Sequence, residues 1–126
     1  MDEKFYYCKN IVDKMEAEMK ENGILHEEWS MKFFTNVANM GSILIELMRD
    51  ATEKGRRLPL RNVVYEQAEK CDFIDVSVWN DFFNIRNRIV HSSLNTIPIN
   101  MLIQRIIPEF VKEFELLKSK DNLASE

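Results

Sequence analysis

Glycine and proline are scarce in this chain, three of each in 126 residues, while 30% of the residues are charged. So few turn-formers beside that charged fraction give the profile of a compact helical protein rather than a turn-rich β-sandwich or a disordered chain. Cysteine is scarcer still: Cys8 and Cys71 have neither CxxC spacing nor a neighbouring histidine. That argues against a zinc site and against a secreted disulfide framework, and leaves two buried thiols as the expectation. No metal-ligand set and no cofactor motif is visible. No apolar run approaches the roughly 20 residues that cross a bilayer. The start, Met1-Asp2-Glu3-Lys4, lacks the basic and apolar regions of a signal peptide, so a cytoplasmic location is expected by default. Basic residues are not in excess either: 17 against 21 acidic ones give a net charge of −4. This counts against broad non-specific nucleic-acid binding but is compatible with a local basic patch.

What is present is helical periodicity. The length suits one domain, residues 1–126, with a single core. Phe5, Cys8, Val12, Met15 and Met19 recur at three- and four-residue steps from Asp2 to Asn22, with Gly23 as a stop. From Glu27 to about Lys54 a broad stripe of Trp29, Phe33, Val37, Met40, Leu44, Leu47 and Ala51, widened by Phe34, Ile43, Ile45 and Met48, marks a central helix ending near Gly55. Gly41-Ser42 in that helix would let a neighbouring backbone approach. Lys54, Arg56, Arg57 and Arg61 crowd the next connection, and Val63-Val64-Tyr65 fits a short helix before Lys70. Asp75 is an N-cap for a helix from Val76 to about His91, closed by a loop at Ser92-Ser93-Leu94-Asn95. A last helix begins near Pro98, with Thr96 as a possible cap, and presents Ile99, Ile103, Ile106, Phe110, Phe114 and Leu117 inward; Pro108 should kink it. Residues 119–126 are too polar to pack and are expected to be disordered. The expected fold is all-α: an antiparallel up-and-down bundle of four long helices plus a short one.

The helix from Val76 carries the chemistry. Wound at about 100° per residue, it places Ile85, Val78, Ile89, Phe82, Trp79, Val90 and Phe83 on one apolar arc, with Arg86 near its middle. An arginine cannot shed its charge, and burying it unpaired costs several kcal/mol, so that position demands a carboxylate partner or a hydrated cleft. Asn80, Asn84, Asn87 and His91 form a polar strip beside the arc. Arg86 and His91 lie about 140° apart, too far to meet on one straight helix, so a second element or second chain must close the site. A two-fold dimer solves the geometry if Trp79 and Phe83 pack against their symmetry mates. Plainer readings stand alongside. Asn80 and Asn84 can be a solvated helix face, His91 a partner of the helix dipole, Arg86 one half of a buried ion pair with Glu46, and the basic connection merely a soluble loop.

The run Phe82-Phe83-Asn84-Ile85-Arg86-Asn87-Arg88-Ile89-Val90-His91 resembles the signature of the HEPN superfamily, in which four to six residues separate an Arg from a His and a polar residue often follows the Arg. The order of elements is similar too, with the signature closing the penultimate long helix of the bundle. The resemblance implies metal-independent endoribonuclease activity at a homodimer groove, without a cofactor, often in defence or toxin–antitoxin systems with a cognate antitoxin or other regulatory protein. It also implies an alternative: many members are non-catalytic modules that bind RNA, a nucleotide or a partner protein. In toxin subfamilies modified by a nucleotidyltransferase, a tyrosine often stands where this chain has Ser93. Under the resemblance Arg86, Asn87 and His91 are the catalytic residues. His91 would accept or donate protons near neutral pH, Arg86 would clamp the phosphate through its planar fork, and Asn87 would orient His91 or bind phosphate. Arg88, Asn84, Lys54, Arg56, Arg57 and Arg61 are the candidate RNA contacts. A third possibility is an unrelated helical interaction protein in which Arg86 pairs with Glu46.

Overall fold

Gly23 ends the first helix as its position suggests. It takes up φ +66°, the left-handed region that costs glycine nothing, and its N–H bonds to the Met19 carbonyl at 2.7 Å. The structure, a computed structural model, describes residues 2–23, 26–51, 58–91 and 97–124, with Asp2, His91 and 120–124 described in backbone only. Within those residues the chain is all helix: α1 (Asp2–Asn22), α2 (Glu27–Asp50), α3 (Leu60–Lys70), α4 (Val76–His91), α5 (Ile99–Met101), a π-helical turn (Leu102–Ile106) and α6 (Ile107–Ala124). The last three form one continuous rod, giving four long helices and a short one. Lys54, Arg56, Arg57, Thr96 and the loop after His91 lie outside the described residues.

Successive helices pack side by side, and α2 lies against α1, α3 and α6. The broad apolar stripe makes this possible: Phe33, Phe34, Val37, Met40, Leu44, Ile45 and Met48 are all buried. Both cysteines are buried, and neither is in a disulfide among the described residues. The rings of Phe5 and Phe114 stack 3.9 Å apart and clamp α1 to α6. Trp79, Phe82 and Phe110 form the centre of the core, Trp79 and Phe110 at 4.6 Å between centroids.

One boundary changes. The central helix stops at Asp50, where the Ala51 N–H turns back to the Met48 carbonyl at 3.2 Å, a tightened 3₁₀-type ending that precedes Lys54. Pro108 follows closely on the π turn at Leu102–Ile106, so the residue without an amide donor stands next to a widened turn. Helix α6 runs on to Ala124, and no glycine or proline after Pro108 in that stretch interrupts it.

At Gly41 the close approach is made by rings. A Cβ there would meet the Phe82 ring at 3.0 Å and the Phe110 ring at 3.2 Å, and neither ring is free to swing because Trp79 packs on both. Gly41→Val is therefore expected to lower the unfolding free energy by about 2–3 kcal/mol, the scale of core overpacking, in denaturant titration. A stability equal to the parent would mean that the aromatic cluster yields easily.

Candidate functional site

Helix α4 is placed first by its ends. Asp75 caps it as expected, its Oδ1 accepting from the N–H groups of Ser77 (3.0 Å) and Val78 (3.4 Å). Glu113 of α6, wholly buried, secures the same end. Its Oε1 accepts from Trp79 Nε1 at 2.7 Å and its Oε2 from the Asp75 N–H at 3.3 Å. Burial above all, and then a hydrogen bond with Glu109, push the Glu113 carboxyl up to about 9, against the pull of its two N–H donors. Glu109 Oε1 is engaged by Lys112 at 2.9 Å, while its Oε2 is buried and lacks a donor among the described residues. A protonated Glu113 supplies that donor.

The apolar arc of α4 divides along its length. Val78, Trp79, Phe82, Phe83 and Ile85 are buried inside the chain's own bundle. Trp79 and Phe83 are thus not available to pack on a symmetry mate, contrary to expectation: α6 covers Trp79 through Glu113 and Phe110, and Arg61 of α3 lies over Phe83. One turn further on the cover runs out. Arg86 and Ile89 are half-buried, and Val90, on the same arc, is 69% exposed.

Arg86 does not pair with Glu46. The Glu46 side chain is 61% exposed and faces Arg49 on its own helix at 3.9 Å. Among the described residues Arg86 has no ion-pair or hydrogen-bond partner. A guanidinium on an apolar arc, half-covered and without a counter-charge there, is suited to an anion arriving from outside.

The polar strip is built into the fold at its first half. Arg61 Nη1 donates to Asn80 Oδ1 at 3.0 Å and Nη2 to Asn84 Oδ1 at 3.1 Å, with the guanidinium carbon 5.1 Å from the centre of the Phe83 ring. Tyr65, one turn along α3 from Arg61, donates its hydroxyl to the same Asn80 oxygen at 2.9 Å. Asn80 and Asn84 are therefore anchors for α3 rather than a solvated face. Asn87 and Arg88 are exposed on the following turn, and His91 is the last helical residue.

On the other side of that face Arg105, from the π turn, pairs with Asp81 and hydrogen-bonds Ser77. The two flanking arginines differ in one respect that decides their use. Arg105 is neutralised by a carboxylate, whereas the described partners of Arg61 are two neutral amides and a ring. Arg61 keeps its charge and has N–H groups to spare for an anion.

Of the residues singled out in the sequence, the structure brings Arg61 and Asn84 together and sets Arg86, Asn87 and Arg88 one turn beyond on the same helix. It leaves Lys54, Arg56, Arg57 and the His91 side chain outside the described set. Sequence reading missed Tyr65 and the buried Glu113. Two i,i+4 pairs, Arg61/Tyr65 and Asn80/Asn84, were the available signal for the first. Comparisons with protein-family models, with curated proteins and with solved structures find no match for this chain.

Proposed function

We propose that the chain is a metal-independent endoribonuclease of the HEPN type, with Arg86, Asn87 and His91 meeting their counterparts in a homodimer groove. The state of Arg86 carries this reading: a half-buried cation on an apolar arc, without a carboxylate among the described residues, five positions before a histidine. The exposed Val90 and half-buried Ile89 beside it form the remaining apolar surface of the arc, and a second copy of the chain is the occupant that supplies a second His91.

In this reading one imidazole takes the proton of a ribose 2′-hydroxyl as that oxygen attacks phosphorus. A second protonates the departing 5′-oxygen, leaving a 2′,3′-cyclic phosphate and a 5′-hydroxyl. Arg86 holds the charge on the five-coordinate phosphorus, and Asn87 orients the imidazole or the phosphate. Arg61 and Asn84 receive flanking phosphate. A cytoplasmic setting in defence or a toxin–antitoxin pair, with an antitoxin or other regulatory protein, goes with that activity; no helix among the described residues is long and apolar enough to cross a membrane.

Purified protein is expected to cut single-stranded RNA in the presence of a chelator and to leave cyclic-phosphate ends. Arg86→Ala should abolish cutting yet cost less than about 1 kcal/mol in unfolding free energy, because the described residues give it no ion pair to break. A buried pair would cost roughly 3–5 kcal/mol. Cleavage that disappears with the chelator would defeat the proposal.

A further inference from the structure

Tyr65 combines exposure with a fixed hydroxyl. The residue is 40% exposed, yet its hydroxyl is fixed at 2.9 Å on Asn80 Oδ1, so a surface aromatic side chain is held in place at its tip. The same oxygen takes Arg61 Nη1 at 3.0 Å, which places a ring and a guanidinium without a described carboxylate partner side by side on one anchor. An anion held at Arg61 has the Tyr65 side chain as a neighbour through the shared Asn80 oxygen. Phosphate next to an unsaturated ring system is the chemistry of a nucleotide, and the face of a base is open to stacking only when it is not stacked in a duplex.

We propose that Tyr65 and Arg61 form a single-nucleotide platform on α3, Tyr65 stacking an unpaired base of the RNA strand and Arg61 taking the adjoining phosphate. The inference rests on the ribonuclease reading for the identity of the strand and adds where the strand runs and what it must be. Asn80 and His91 are eleven residues apart on α4, about 16 Å at 1.5 Å per residue. The stacked base therefore lies a few nucleotides from the phosphate that is cut, and the strand follows the polar strip through Asn84 and Asn87. Arg105, engaged by Asp81, is not on this path. The enzyme selects single-stranded RNA through Tyr65, and the base at that position is required as a ring rather than as a particular hydrogen-bonding pattern, since stacking tolerates every base.

The test is a two-way cycle of binding measurements on the full chain carrying His91→Ala, so that the strand stays intact. One arm is Tyr65→Ala; the other is a set of short single-stranded RNAs with an abasic site moved one position at a time. Tyr65→Ala is expected to weaken binding of the intact strand by roughly tenfold to a hundredfold, and Tyr65→Phe by much less. One abasic position should abolish the difference between Tyr65→Ala and its parent. Arg61→Gln should weaken every strand, abasic ones included, and lower the slope of log affinity against log salt by about one. Equal loss across all abasic strands, no loss in Tyr65→Ala, or equal binding of duplex RNA each overturns the platform. A parent protein that cleaves RNA while indifferent to Tyr65 leaves the ribonuclease standing and removes only the platform. A chain that neither binds nor cuts RNA removes both.

Discussion

His91→Ala is expected to reduce RNA cleavage by a factor of roughly 10² to 10⁴, the range for loss of a general acid or base, and to leave thermal unfolding unchanged. RNA scission needs a proton removed from one oxygen and another delivered to a second, and at neutral pH the two arginines and the asparagine around the motif can do neither. Imidazole can do both, and of the chain's two histidines only His91 lies on α4; His26 stands before the first residue of α2. A dimer loses both copies at once in this variant, so neither role is rescued by the partner. Stability is spared because His91 is the last helical residue and Val90 before it already faces outward. The comparison that isolates proton transfer is His91→Gln, which retains hydrogen bonding but cannot exchange a proton near neutrality; it should be as slow as the alanine variant. Single-turnover rates on a labelled RNA decide the matter. A His91→Gln protein that cuts at the parent's rate would show that the residue does no acid–base work.

Much of the fold was legible because its signals are local. Gly23 in its left-handed turn and Asp75 at the cap of α4 act within four residues of themselves, and the stripe of α2 is a property of its own periodicity. The all-α bundle of four long helices and a short one follows from such signals alone. Pro108 was legible as a disturbance but not as a π turn, since the form of the adjustment depends on what Leu102 and Ile106 pack against.

The site was legible to the extent that it is a helix face. Winding α4 identifies which residues share an arc, and it placed Arg86 where an arginine needs an explanation. It does not say which neighbour covers each turn of the arc. Trp79 and Phe83 were assigned to a dimer seam on that basis, and the structure buries them under α6 and Arg61. The anchoring of Arg61 on Asn80 and Asn84 joins residues nineteen and twenty-three positions apart, a relation no period reveals. Glu113 was invisible for another reason: an acid four residues from Glu109 on a polar-rich helix reads as solvated surface, and only the depth of Trp79 in the core makes it otherwise.

That depth sets the second large effect. Below about pH 4.5 the Glu113 carboxyl holds its proton in both the folded and unfolded chain and contributes no pH dependence. Between about 4.5 and about 9 the folded protein keeps a proton that the unfolded chain has released, so stability falls as pH rises. The slope is about 1.4 kcal/mol per pH unit, which from pH 5 to 7.5 amounts to an order of 3 kcal/mol. Above about 9 both states are ionised and the slope vanishes. Glu113→Gln removes the ramp. Its carbonyl can accept from Trp79 Nε1, and its amide N–H can serve the buried Glu109 Oε2 in place of the proton. The Asp75 N–H loses its acceptor, at about 1 kcal/mol. The glutamine variant should therefore be slightly less stable than the parent at pH 5 and about 2 kcal/mol more stable at pH 7.5, the two curves crossing between. Glu113→Ala should lose roughly 3–5 kcal/mol at pH 5, because it strands Trp79 Nε1 and Glu109 together and opens a cavity, and this deficit should shrink by about 3 kcal/mol by pH 7.5 because the alanine variant lacks the ramp as well. Urea titrations at pH 5, 6.5 and 8 measure all three proteins. A difference between Glu113→Gln and the parent that does not change with pH would mean that the folded chain holds no extra proton at this carboxyl, and the buried pair would need another donor.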